Sequence, residues 1–356
     1  MRVVFRVDSS LEIGAGHVMR CLSLADIIRN QGSDVFFICR NHSGNLIEYI
    51  ERKKYKVFTI INKEKKNLKL DSNLIHAKFL GESQTNDAKE CFQILSNIQP
   101  DWLILDHYGI DRFWQEILSS TYDKLMVIDD LADREHISDL LLDQTLGRKK
   151  EDYSNLVPKY CDLLLGPQFA LLRNEFMDWR DYSLKRRLNP EFKKLLISMG
   201  GIDTNNVTEK VLIGLEKCQL PRNLKIIVIL GGKSPHLEGV KLKIRDFPYN
   251  VELKVNVQNM AEIMANCDVA IGAAGSTTWE RCCLGIPSIQ IVIAENQKLI
   301  AKAIYKINAA INIDINNIGM ISKALIEVNN KLQDLCKNSS QVTNGSGIYK
   351  VIEHIL

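Results

Sequence analysis

The sequence predicts an α/β protein built from two parallel-sheet halves. Short β-branched or apolar runs alternate with helical stretches from the first residues onward. The alternation breaks once, after Gly166-Pro167, and then restarts. A length of 356 residues is what two domains of ordinary size require.

In the first half, Arg2–Val7 reads as a strand and Gly16–Asn30 as a helix that Gly32 stops. Strands follow at 34–39 (DVFFIC) and 57–60, with a helix at 46–53 between them. A helix at 87–97 ends before Pro100 and leads into the buried strand Trp102–Asp106 (WLILD). A helix at 112–119, a strand at 125–129 (LMVID) and short strands Leu140–Asp143 and Asp162–Leu165 complete the half.

Residues 168–192 are charged and aromatic, with a helix around 173–180, and read as the connection between domains 1–167 and 193–356. The second half alternates again. Strands fall at Lys194–Ser198, 224–230, 251–255, 269–271 and 288–291. Helices fall at 206–216, Met260–Ala265, 275–283 and 296–306. Two such halves suggest Rossmann-like domains facing a cleft. The amphipathic end of the chain (IYKVIEHIL) is expected to pack back on the first domain.

With 46% hydrophobic and 25% charged residues, the chain has the balance of an ordinary globular protein. A net charge of +3 gives no case for a nucleic-acid partner. The Lys-rich region 53–72 reads as a solvated surface or an insertion. The nine cysteines are odd in number and form no CxxC pair, which implies reduced thiols, a cytoplasmic setting and no structural zinc. No leader is read at the start, and no apolar run approaches the roughly 18 residues of a membrane span, so stable membrane insertion is not expected. A monomer with no metal and no cofactor is expected.

The chemistry starts at FRVDSSLEIGAGHVMR. A strand passes through a polar, Gly-bearing turn into a helix, so His17 stands in the first helical turn at a strand's carboxyl end. Ligands of open α/β sheets bind at such edges. The positive end of the helix disfavours an imidazolium, which suits a general base. The competing reading is a helix residue that only packs. Gly14 and Gly16 do not make a dinucleotide fingerprint, because the third glycine is replaced by Met19 and Cys39-Arg40 stand where a ribose-binding acid belongs. They let the backbone approach a ligand closely.

In the second half, Met199-Gly200-Gly201 and Gly272-Ala273-Ala274-Gly275-Ser276-Thr277 both join a strand to a helix. Both loops can aim N–H groups and a helix N-terminus at a diphosphate. Glu280 lies one turn into the helix read from Gly275, as a ribose ligand or a solvated residue. No DxD sequence and no convincing ligand cluster points to a metal.

The segment Gly275-Ser276-Thr277-Thr278-Trp279-Glu280 with Gly285-Ile286-Pro287 resembles glycosyltransferases of the B fold. A more extensive resemblance lies in FRVDSSLEIGAGHVMRCLSLA, LILDHYGID, VIDDLADREH, DLLLDQT, LLLGPQFALLRNEF, SMGG and AENQ. In order and spacing these blocks are similar to the UDP-sugar hydrolases of pseudaminic acid biosynthesis. That resemblance implies hydrolysis of UDP-2,4-diacetamido-2,4,6-trideoxy-β-L-altropyranose with inversion, by a base matching His17. It also implies that Tyr108 matches an active-site tyrosine and Asn296 a substrate-binding asparagine.

Asp106 is read either as an orienting group or as a turn cap. Asp8 is read as orienting His17, touching the sugar, or capping the loop. Arg20 and Gln297 are grouped with the substrate-binding residues. Asp129, Asp130 and Asp133 are read as a capped turn paired with Arg134. Two competitors remain: an inverting UDP-sugar-dependent glycosyltransferase and a silent nucleotide-sugar binding protein.

Overall fold

The computed structural model describes residues 1–62 and 74–356. They divide into two units, Met1–Leu171 with Ile348–Leu356, and Leu172–Gly347. The Lys-rich region therefore lies only partly within the described residues. In its described part, Lys53 Nζ pairs with Asp26 at 3.0 Å and Lys56 lies over the Phe58 ring at 4.8 Å.

The first unit runs β1 (Arg2–Val7), α1 (Gly16–Asn30), β2 (Asp34–Arg40), α2 (Ile47–Arg52), β3 (Lys56–Ile60), α3 (Gln84–Ile98) and β4 (Trp102–Asp106). It continues with α4 (Arg112–Leu118), β5 (Lys124–Ile128), β6 (Leu140–Asp143) and β7 (Asp162–Leu165). Its sheet is parallel, in the order β3-β2-β1-β4-β5-β6-β7. The direction of winding changes between β1 and β4, the position where open sheets bind ligands. Val7 is in register with Asp106 at that point.

Central parallel strands are covered on both faces, so they read as nearly unbroken apolar runs. Side chains alternate between the faces. Val3, Phe5 and Val7 of β1 join Ile104 of β4 and Met126 and Ile128 of β5 in the core that contains α1. Val4, Leu103, Leu105, Leu125 and Val127 join the opposite core, with Trp114 of α4 and Cys91 of α3. This parity decides which polar residues can meet at the strand ends.

The second unit contains α5 (Asn174–Asp178), α6 (Arg180–Arg186), β8 (Lys194–Ser198), α7 (Val207–Glu216), β9 (Lys225–Leu230), α8 (Leu237–Arg245), β10 (Asn250–Val255) and α9 (Met260–Ala265). There follow β11 (Val269–Ala273), α10 (Thr277–Cys283), β12 (Ser288–Val292), α11 (Lys298–Lys306), β13 (Ile311–Asp314), α12 (Ile321–Asn330) and α13 (Leu332–Ser340), while all but the first residue of α14 (Gly347–Ile352) belongs to the first unit. Its parallel sheet has the order β10-β9-β8-β11-β12-β13.

The single helix expected near 173–180 is two helices that meet at Trp179. The second of them, α6, is held within the second unit by guanidinium groups at its two ends that donate to backbone carbonyls. Arg180 donates to the carbonyls of Cys283, Ser340 and Thr343, and Arg187 to those of Met264, Ala265 and Cys267. At the chain end, Ile348, Val351, Ile352 and Ile355 belong to the first unit's core, where Trp102 Nε1 donates to the Ile355 carbonyl at 3.0 Å. All nine cysteines are unpaired. Among the described residues, no helix is long and apolar enough to cross a membrane.

Candidate functional site

Helix α1 begins at Gly16, which puts His17 in its first turn and Arg20 one turn further on the same face. That face packs on the side of the sheet carrying Val7. Asp106 follows Trp102 and Ile104 in the alternation of β4, so it points to the same side. The three side chains meet there.

His17 Nδ1 lies 2.6 Å from Asp106 Oδ1. Arg20 donates to Asp106 from Nε to Oδ2 at 2.6 Å and from Nη2 to Oδ1 at 2.7 Å. Burial alone would push the Asp106 carboxyl up. The Arg20 guanidinium and then His17 outweigh it and hold Asp106 well below the usual carboxylate range. An ionised carboxylate only accepts, so His17 Nδ1 faces it as a donor and Nε2 is the ring nitrogen turned away from Asp106. Asp106 is therefore the group that orients His17.

Arg20, expected among the substrate-binding residues, is engaged by two carboxylates of the site. It is buried, and its third bond runs from Nη1 to Asp130 Oδ2 at 2.6 Å. Burial would lower its proton affinity, but Asp106 and Asp130 raise it further. Tyr108 also donates its hydroxyl to Asp130 Oδ2, at 2.9 Å. The Tyr108 ring stands edge-on to His17, with centroids 4.6 Å apart. Burial, then Asp130, pushes the phenol well above its ordinary value.

Asp8 does not orient His17. It shares the parity of Val4 and faces the opposite side of the sheet. Its Oδ1 accepts from Arg6 Nη1 at 2.6 Å and from the Arg40 amide at 2.7 Å. Its Oδ2 faces His107 Nε2 at 3.4 Å and His42 Nε2 at 3.6 Å. Burial raises the Asp8 carboxyl, but Arg6 and the two imidazoles hold it well below its usual range. Asp87 of α3 accepts from Arg6, Arg40 and Trp114 Nε1 on this side, closing a buried ionic network. His107 Nδ1 accepts the Gly109 amide at 3.0 Å, so its own proton sits on Nε2 toward Asp8. That tautomer presents no lone pair to a metal ion.

Asp8, Ile13, His17, Phe79, Asp106, His107 and Tyr108 line one narrow crevice. The loop leading into it turns at Gly14, whose φ of +81° is the left-handed region that favours glycine. Asp129 behaves as a turn cap, accepting from the Leu131 and Ala132 amides and pairing with Arg134 at 2.9 Å. Asp133 pairs with Arg134 at 2.8 Å. Asp130 leaves this cluster and turns toward Arg20.

In the second unit, Gly200 has a φ of +96°, and space beside Gly200 and Gly201 is open. The Gly201 carbonyl accepts from the Gly231 amide at 2.9 Å. The helix after this loop differs from expectation. Asp203 accepts the Val207 and Thr208 amides at 2.8 Å each, so a carboxylate already occupies the α7 N-terminus. The diphosphate contact expected of that helix end is thus taken internally, and the glycine loop itself stays open.

The second loop lacks such a plug. α10 starts at Thr277, two residues later than read, with Glu280 still in its first turn. Buried Arg281 lies beneath the loop and donates to the Ala273 carbonyl at 2.8 Å and to Thr277 Oγ1 and Thr278 Oγ1 at 3.1 Å each. Burial pulls Arg281 down to about 10. Gly272 makes room for it, since an added Cβ would sit 2.6 Å from Arg281 Nη1. Gln297 folds back so that its Oε1 accepts the Ile293 amide at 3.0 Å, and its Nε2 lies against Gly275. Ser276 and Asn296 are half-buried beside this loop and in the turn before α11. Glu280 has Arg173 Nη2 at 3.7 Å, and burial raises its carboxyl.

Comparison with solved structures decides the architecture. Acinetobacter baumannii MurG superposes with a TM-score of 0.69 at 15% identity, over 99% of both chains. The spinosyn rhamnosyltransferase SpnG gives 0.67 at 14% identity, over 99% of this chain and all of its own. The chain has the glycosyltransferase B fold. Within this B-fold chain, residues 196–355 match the glycosyltransferase family 28 C-terminal domain.

A Campylobacter jejuni protein named UDP-2,4-diacetamido-2,4,6-trideoxy-beta-L-altropyranose hydrolase is 29% identical over 84% of the chain and 94% of its own length. An uncharacterized Methanocaldococcus jannaschii protein is 28% identical, also over 84% of the chain, but the chain spans only 57% of that protein. A Helicobacter pylori pseudaminic acid cytidylyltransferase and hydrolase is 30% identical over 57% of the chain and 36% of its own length.

Sequence reasoning did not reach Arg281, Asp203 or the pairing of Arg20 with Asp130. One signal for Asp130 was present: in VIDD it continues the alternation of Met126 and Ile128, whereas Asp129 continues that of Leu125 and Val127. Nothing in the local sequence marks Arg281 as buried.

Proposed function

We propose that the chain is an enzyme acting on a UDP-sugar, and that it hydrolyses UDP-2,4-diacetamido-2,4,6-trideoxy-β-L-altropyranose to UDP and the free sugar with inversion. The likeness to the Campylobacter hydrolase suggests the substrate. The observation that carries the chemistry is the His17–Asp106 pair at 2.6 Å, with Nε2 left as the proton acceptor. Water oxygen bonds to the anomeric carbon while His17 Nε2 takes a water proton. The bond from that carbon to the diphosphate oxygen breaks, and its electron pair leaves with UDP. The imidazolium formed is stabilised by ionised Asp106.

Tyr108 has committed its proton to Asp130, so its oxygen serves the substrate as an acceptor. The loops at Gly200-Gly201 and Gly275-Ser276-Thr277 would hold the diphosphate, with the buried Arg281 guanidinium adding a fixed positive charge beneath the second loop. Glu280 would accept from ribose, and Asn296 and Gln297 would meet sugar amides. No step is routed through a metal, and turnover in excess chelator is expected to be unchanged.

Proton NMR of the purified protein with this UDP-sugar and no acceptor tests the reading. UDP and the inverted sugar should appear, and His17→Asn should lower kcat by about 10²- to 10⁴-fold while remaining folded. Substrate left intact by the wild-type protein overturns hydrolysis. The glycosyltransferase reading draws support from the family 28 domain and the B-fold neighbours. It predicts UDP release only when an acceptor is added.

A further inference from the structure

The carboxylate of Asp130 has no work in its own turn. Asp129 caps the backbone there, and the Asp130 carbonyl is held separately by Arg148 Nη2 at 2.8 Å. The Asp130 side chain instead accepts Arg20 Nη1 at 2.6 Å and the Tyr108 hydroxyl at 2.9 Å, both on Oδ2. Arg20 reaches Asp106 through its other two nitrogens, and Asp106 holds His17. Tyr108 returns to His17 edge-on at 4.6 Å. The five side chains form a closed circuit around one imidazole.

We propose that Asp130 is a positioning residue for His17, acting from both sides of the ring through Arg20–Asp106 and through Tyr108. This rests on the reading of His17 as the base. The guanidinium is a rigid plane. Anchoring Nη1 on Asp130 fixes rotation of that plane and so aligns Nε and Nη2 with Asp106. The same carboxylate turns the Tyr108 ring and balances part of the Arg20 charge. The charged and titratable groups around His17 are Asp106 from β4, Arg20 from α1, Tyr108 and His107 after β4, His76 before α3, and Asp8 across the shared crevice.

The test uses the full chain labelled with ¹⁵N-histidine. The Nδ1 proton of His17, donated to a carboxylate oxygen at 2.6 Å, gives a downfield resonance, assigned by its absence from His17→Asn. Asp130→Asn should shift or broaden this resonance in the substrate-free protein. In turnover it should lower kcat about 10-fold or more with KM little changed, since a misplaced group loses rate rather than affinity. Tyr108→Phe keeps the Asp130 charge and should disturb the resonance less. Asp130→Glu should restore part of kcat.

An unchanged resonance in folded Asp130→Asn overturns the proposal, as does kcat within twofold of wild type. If Asp130→Asn does not fold, Asp130→Glu takes its place, and a resonance and a kcat both identical to wild type in that variant overturn it. If the wild-type protein releases no UDP, the hydrolase reading fails while the resonance still reports on Asp130.

Discussion

Replacing Asp106 by Asn tests the reasoning behind the site most severely. The carboxylate accepts three N–H donors, from His17 Nδ1, Arg20 Nε and Arg20 Nη2. An amide offers one acceptor oxygen and a donor NH₂. Arg20 presents an N–H to each carboxylate oxygen, so either amide orientation sets donor against donor. If the NH₂ faces His17, the imidazole must accept at Nδ1 and carry its proton on Nε2, which removes the base. Loss of a buried ion-pair partner costs about 3–5 kcal/mol of stability. Loss of a positioned base costs about 10²- to 10⁴-fold in kcat, or about 3–5 kcal/mol of barrier at about 1.4 kcal/mol per decade. Urea unfolding would measure the first and UDP release the second. A variant with kcat within threefold of wild type and an unchanged unfolding midpoint would refute the argument.

Three further outcomes follow from the packing and charges. Ile352→Ala removes a buried side chain from the first unit's core and should destabilise by about 2–5 kcal/mol in urea unfolding. Gly231→Ala places a Cβ 2.2 Å from the Gly201 carbonyl oxygen, so the Gly200–Gly201 loop must move. Stability should fall by about 1–3 kcal/mol, and calorimetric UDP binding should weaken. Asp8, Asp87, Asp106 and Asp129 all have carboxyls held below their ordinary range in the folded state. The unfolded chain thus binds more protons in acid, and their stabilisation is full above the unfolded value of about 3.9 and lost as pH falls through the folded values. The urea midpoint should drop steeply below about pH 4, and Asp87→Asn should flatten that fall.

The alternation of strands and helices, the starting points of β1, β4 and α1, and the place of His17 were legible in the chain. They depend on local signals: period-2 and period-3.6 apolar patterns, Gly32 as a helix stop and Gly14 in the turn before α1. Residues beyond Asn308 were not legible as β13, α12 and α13. Asn312 and Asp314 interrupt the four-residue strand, and the helices have no strong start signal. The break at Trp179 was hidden for a related reason, because Arg180 and Arg187 are anchored on carbonyls far along the chain.

Strand, turn and helix follow one another within about 30 residues, and that local order is enough to stand a histidine at the end of a parallel strand. Which acid serves it depends on the assembled sheet. Asp8 is nearer in sequence but alternates to the wrong face, whereas Asp106, 89 residues away, stands beside Val7 in register and on the α1 face. Sheet order and strand parity act together in that choice, and strand order is a property of the assembled sheet rather than of any local stretch. The same holds for Asp203, which closes the α7 N-terminus that the glycine loop alone had left open.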